Sequence, residues 1–174
     1  MRRLLFLPLL FLLALAQVFP KEGGRYAYSD GTLQELLPTH EGFRLRYLKE
    51  GRLFREDRLK LTPEGLYLLG VGLPEGYFPF TPPLLLYPLR LFPGQAWGGS
   101  AAFRDQRVAL SARVEGLEGL KTRAGAFNAY RVRVAFTTEK GGTDLKELYL
   151  VPGLGVVAYR AGTGLVELLR FTPP

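Results

Sequence analysis

Glycine and proline interrupt this chain every eight to twelve residues, and between the interruptions apolar and polar side chains alternate with a period of two. That rhythm leaves little room for helices and points to antiparallel β-structure. The most regular run is Arg107 to Glu115, where Val108, Leu110, Ala112 and Val114 fall on one face and Arg107, Ser111 and Arg113 on the other. Phe127 to Phe136 repeats the pattern: Tyr130, Val132, Val134 and Phe136 oppose Arg131 and Arg133. Each strand has one wet face, so the sheet is expected to be covered on one side only.

Similar strands precede and follow these two. Arg25 to Ser29 ends at the turn dipeptide Asp30-Gly31. Phe43, Leu45 and Tyr47 alternate with Arg44 and Arg46, and Lys49-Glu50-Gly51-Arg52 turns into Leu53 to Leu61. Thr62-Pro63-Glu64-Gly65 leads into Leu66 to Val71, and three final strands span Leu145 to Val151, Val156 to Arg160 and Leu165 to Phe171. Thr32 to Leu37 reads as a turn or two of helix stopped by Pro38. The expectation is a mostly β fold of eight or nine strands: a curved antiparallel sheet, half-barrel or clam.

One stretch breaks the rhythm. Gly76 to Pro93 is dense in both proline and large apolar side chains. Proline cannot donate to a sheet ladder, so the segment reads as a crossover over the open face of the sheet. It is either plain packing or a flap that meets an apolar ligand or a membrane surface. On the second reading the candidate ligand-binding residues are Tyr77, Phe78, Phe80, Leu84, Leu86, Tyr87 and Phe92, with Trp97 just beyond.

The first sixteen residues give an address. Arg2 and Arg3 precede the apolar run Leu4 to Leu13, and Ala14-Leu15-Ala16 places small residues at −3 and −1 of a cleavage point. The expected domains are a cleaved signal peptide, 1–16, and a single β domain, 17–174, exported to the periplasm or cell envelope. Retention as an N-terminal anchor is the alternative. The chain has no cysteine, which excludes both disulfides and a cysteine-linked lipid. Its formal charge of +7 falls by two once Arg2 and Arg3 are removed, a mild preference for anionic neighbours. One Met, one Asn (Asn128) and four Gln beside abundant Arg, Glu, Leu and Pro form a composition common in thermophiles.

Chemical motifs are scarce. Gly153-Leu154-Gly155-Val156-Val157-Ala158 matches the dinucleotide fingerprint in letters but is followed by a strand, so a turn is the better reading. Gly116 to Thr122 lacks the Gly-Lys pair of a phosphate loop. The single histidine, His40, lies in the loop signal Pro38-Thr39-His40-Glu41-Gly42, and Ser29, Ser100 and Ser111 sit in no nucleophile elbow. No catalytic residue, cofactor or metal site is predicted. Asp57, Glu115, Glu118 and Glu147 stand among basic residues at strand positions, where cross-strand ion pairing explains them. Arg44, Arg46, Arg107, Arg113, Arg131 and Arg133 are read as a solvated sheet face; nucleic acid is not expected as a partner.

Trp97, the entry Leu120-Lys121-Thr122-Arg123-Ala124-Gly125-Ala126-Phe127-Asn128-Ala129-Tyr130-Arg131-Val132 and the closing Leu148-Tyr149-Leu150-Val151-Pro152-Gly153-Leu154-Gly155-Val156-Val157 form a familiar order. Over about residues 97–171 the chain resembles uncharacterised exported bacterial envelope proteins that look like relatives of the periplasmic lipoprotein-carrier fold. The resemblance implies a curved antiparallel sheet with an apolar concave face. The leading functional expectation is therefore a non-enzymatic envelope protein that binds an apolar or amphipathic ligand, such as lipid or a lipidated partner. The alternatives are a structural or protein-interaction module of an envelope assembly and, third, an exported hydrolase.

Overall fold

The computed structural model describes residues 17–162 and 164–174; the predicted signal segment lies outside the described residues. Among these residues the chain forms twelve strands. The first six are β1 (Gly24–Tyr28), β2 (Thr32–Pro38), β3 (Gly42–Lys49), β4 (Arg52–Thr62), β5 (Gly65–Leu73) and β6 (Gly76–Pro88). The second six are β7 (Ala96–Phe103), β8 (Gln106–Thr122), β9 (Gly125–Thr138), β10 (Thr143–Val151), β11 (Gly155–Ala161) and β12 (Gly164–Thr172). Each pairs antiparallel with its neighbours in sequence, and β1 pairs with β12, so the sheet closes into a barrel. There is no helix among the described residues.

This corrects the expected half-barrel of eight or nine strands and the lipoprotein-carrier fold with it. Three strands account for the difference. Thr32 to Pro38 is a strand, not a helical turn, with Thr32 and Leu36 buried and Leu33 and Leu37 exposed. Gly76 to Pro88 is a strand too, and the barrel tolerates its prolines because it is poorly bonded on one side. Its register with β5 skips from Gly70↔Pro79 to Leu68↔Leu84, and it meets β7 only at Phe80↔Phe103 and Thr81↔Ala102. Pro82 and Pro83 fall in the skipped stretch, where no ladder donor is required. The third, β7, carries Gly98-Gly99-Ser100-Ala101-Ala102, side chains too small to display an alternation.

The one-sided covering holds in a different form: the dry face is the inside of the barrel. Val108, Leu110, Ala112, Val114, Val132 and Val134 are buried there, and Arg107, Arg113 and Arg133 are exposed. The outer wall carries cross-strand ion pairs, among them Arg44 Nε and Nη2 on the two Glu56 oxygens at 3.0 and 2.8 Å, and Arg46 on Glu35 at 2.9 Å. A charged outside around an apolar inside is the reverse of a membrane-spanning barrel.

The odd-to-even turns, such as Asp30-Gly31 and Glu50-Gly51, lie at one end of the barrel and the even-to-odd turns at the other. The segment before β1 blocks the second end. The Gln17 carbonyl accepts from Gly153 N at 2.7 Å, and Val18 and Phe19 are buried. The Phe19 ring meets Phe43 and Tyr87 edge-on, with centroids 6.1 and 6.2 Å away. Gly155 at φ +109° makes room: a Cβ there would stand 3.0 Å from both Phe19 and the Tyr26 hydroxyl.

Candidate functional site

Twelve strands enclose more space than core side chains fill, since eight already suffice for a filled interior or one small ligand. A cavity of about 340 Å³ remains toward the unplugged end. Its floor is Phe19 with Leu45, Leu68, Tyr87 and Val156, and its walls include Leu86, Val134, Phe136 and Leu148. Asp30, Thr32, Gln34, Phe54, Arg55, Lys146 and Tyr159 come from strand ends near the open turns and form the mouth.

Between floor and mouth sits a charged cluster. Tyr47 and Arg55 are register partners across β3 and β4, and Asp57 is two residues beyond Arg55, so all three point inward. Arg55 donates from Nε to Asp57 Oδ1 at 2.6 Å and from Nη2 to Oδ2 at 3.2 Å. The Tyr47 hydroxyl donates to the same Oδ2 at 3.0 Å. Only 4% of the Asp57 side chain is exposed, against 37% for Arg55. Burial opposes the Arg55 charge, but the Asp57 carboxylate beside it outweighs burial and holds the guanidinium more firmly protonated than usual. Burial and then the Asp57 charge push the Tyr47 hydroxyl well above the ordinary tyrosine range.

A second acid, Asp30, lies at the mouth, and a third, Asp144, stands exposed on β10 next to the mouth residue Lys146. Asp30 accepts from the Tyr159 hydroxyl at 2.6 Å and from the Thr32 amide at 2.9 Å. Burial alone would raise its pKa; those hydrogen bonds override burial and hold it below the usual value. On the β10 wall, Lys146 Nζ lies 3.3 Å from Asp144.

Of the residues singled out from the sequence, Leu86 and Tyr87 line this cavity. Phe80 is buried and stacks on Phe103 at 4.4 Å, and Leu84 is buried in the core. Trp97 is half-buried and bonds to the Leu86 carbonyl. Tyr77 is exposed beneath Arg58, Phe78 lies under Arg104, and Phe92 is 57% exposed. Sequence reasoning missed Tyr47, Arg55 and Asp57 as a unit. The signal was their phase: Arg55 and Asp57 alternate in step with buried Leu59, and Tyr47 ends the Phe43-Leu45 face. His40 is exposed in the turn after β2; Ser29 accepts from the Glu167 amide and Ser100 from Arg107, both away from it in sequence.

The fold and the cavity define a closed, up-and-down antiparallel barrel with an apolar chamber and a polar mouth. No family model matches the chain, and no curated protein matches it. Two solved structures are similar in outline. One is a "putative lipoprotein" of Parabacteroides distasonis, with a TM-score of 0.46 and 11% identity over 90% of this chain and 99% of that one. The other is the hypothetical lipoprotein YmcC of Escherichia coli, with a TM-score of 0.44 and 16% identity over 91% of this chain and 89% of that one. Both likenesses are too distant to carry a function across, and this chain has no cysteine on which a lipid could be built.

Proposed function

We propose that this is an exported, non-enzymatic protein of the cell envelope that binds one small amphipathic molecule inside its barrel. The observation that carries the reading is the chamber of about 340 Å³, apolar at its floor and polar at its mouth. That volume is at the lower end of small-molecule pockets, which run from roughly 300 to 1,000 Å³. Export rests on the Arg2-Arg3, Leu4 to Leu13 and Ala14-Leu15-Ala16 pattern.

Native mass spectrometry of the protein purified from its own envelope tests the binding. A single small molecule in stoichiometric amount is expected, and Leu148→Trp, which narrows the chamber, should reduce its retention while the barrel still melts cooperatively. A protein that emerges empty and takes up neither alcohols nor fatty acids of medium chain length would sink the reading. N-terminal sequencing of the same material tests export, with Gln17 expected as the first residue.

A further inference from the structure

The two acids that line the chamber, Asp57 and Asp30, are both hydrogen-bonded. Asp57 takes two bonds from Arg55 and one from Tyr47. Asp30 takes one each from Tyr159 and the Thr32 amide, and Asp144 is paired with Lys146. The donors are not exhausted in the same way. Arg55 carries five N–H groups and uses Nε and one Nη2 hydrogen on Asp57; no protein acceptor among the described residues is bonded to Nη1. An ammonium has three protons, and Lys146 has a single ionic partner within reach. Gln34 at the mouth supplies one donor and one acceptor function and so leaves the balance unchanged. Arg55 therefore turns unbonded N–H groups toward the chamber, while its buried carboxylate partner, Asp57, is already bonded three times.

The cluster is also held in place. Asp57 is almost wholly buried and grips the guanidinium side-on, while the Tyr47 hydroxyl bonds Asp57 Oδ2 and its ring lies 5.3 Å from the guanidinium carbon. An ion pair set into an apolar wall adds little stability over an apolar pair of the same volume. What it adds is a preorganised fork facing a chamber whose lining includes the aliphatic side chains of Leu45, Leu68 and Leu86.

Building on the cavity reading, we propose that Arg55, positioned by Asp57 and Tyr47 and assisted by Lys146, recognises the anionic head of a single-chain amphiphile whose hydrocarbon chain fills the chamber. The head is a carboxylate or a phosphate monoester; both present the paired oxygens that a guanidinium fork accepts. Arg55 binds the ligand, and Asp57 is a positioning residue.

Isothermal titration with four ten-carbon probes below their micelle concentrations tests this: decanoate, decyl phosphate, decanol and decyltrimethylammonium. Decanoate or decyl phosphate should bind at least about tenfold more tightly than decanol, the scale of one charge-assisted hydrogen bond. The relative affinities of the two anions distinguish a carboxylate from a phosphate head. Arg55→Met strands a buried carboxylate and endangers the fold, so the decisive protein is the double variant Arg55→Met/Asp57→Asn, with Lys146→Met beside it. The double variant should lose the anion preference, so that decanoate and decyl phosphate bind no more tightly than decanol; Lys146→Met should reduce the preference in part. Equal binding of all four probes, a preference for the cation, or an anion preference that survives in the double variant would overturn the head-group assignment while leaving the cavity reading intact. Binding of none of the four defeats the cavity reading itself.

Discussion

The indole N–H of Trp97 donates to the backbone carbonyl of Leu86 at 3.1 Å, joining β7 to β6 where their backbones are not bonded to each other. Trp97→Phe keeps most of the apolar contact and removes that bond. A loss of about 1 kcal/mol is expected, together with faster amide exchange at Leu84 to Tyr87. Unchanged exchange there would mean that the bond does not hold the seam.

Phe19 closes the floor, packed between Phe43 and Tyr87 with 3% of its surface exposed. Phe19→Ala should cost about 3–5 kcal/mol and open the chamber downward, admitting longer chains. Thermal melting and a chain-length series of alcohols read the two effects separately.

Val132 is fully buried and sits opposite Val114 on the inner face. Val132→Asp places a carboxylate there with no cation in register, and several kcal/mol of stability, roughly 3 or more, should be lost. The exposed neighbour Arg133→Asp should melt within a few degrees of the unaltered protein, which makes the pair a direct check on which face is wet.

Glu56 is held below its ordinary pKa of 4.5, first by the Arg44 hydrogen bonds; burial opposes them, and the charges of Arg44, Arg58 and Arg46 add to the lowering. A carboxylate lowered on folding contributes stability above its unfolded pKa and loses it as the pH falls through the folded one. The melting temperature should therefore drop as the pH falls below about 4.5. Glu56→Gln should flatten that drop while lowering stability at neutral pH.

Alkaline behaviour follows from the tyrosines. Burial first, and neighbouring charges after it, push Tyr28 and Tyr47 well above the ordinary value of 10.0. Groups raised on folding contribute fully below their unfolded pKa, and that contribution is lost as the pH climbs past it. Absorbance at 295 nm should show part of the tyrosine titration appearing together with unfolding above pH 10, not as a gradual surface titration.

The strands that announced themselves in the sequence were those with one wet and one dry face, such as Val108 to Val114 against Arg107 to Arg113. Closure was not legible, because it depends on Tyr26 meeting Phe171 from the other end of the chain, and nothing local encodes that encounter. β2 was misread because Leu33 and Leu37 face outward and blur its alternation. Prolines disguised β6 by the rule that keeps them out of ladders, which its skipped register with β5 and its slender contact with β7 satisfy. In the chamber, Leu86 and Tyr87 were visible as large apolar residues in a proline-rich run. Arg55 and Asp57 were visible only as charges of the kind that usually lies in water, and their phase with Leu59 was the one sign that they do not.

The β6–β7 junction gives this ring a clasp. Two residue pairs fasten it, whereas every other neighbouring pair of strands among the described residues is joined at four or more. Seen this way the protein is two six-stranded leaves, β1–β6 and β7–β12, bound along a spine where β1 meets β12 and meeting again at an edge with fewer backbone pairs. Under load or heat the leaves should part at that edge before either leaf loses its own ladders. The unpaired part of that junction runs past Leu86, so the wall that lines the chamber is held there by the Trp97 side chain and not by a backbone ladder.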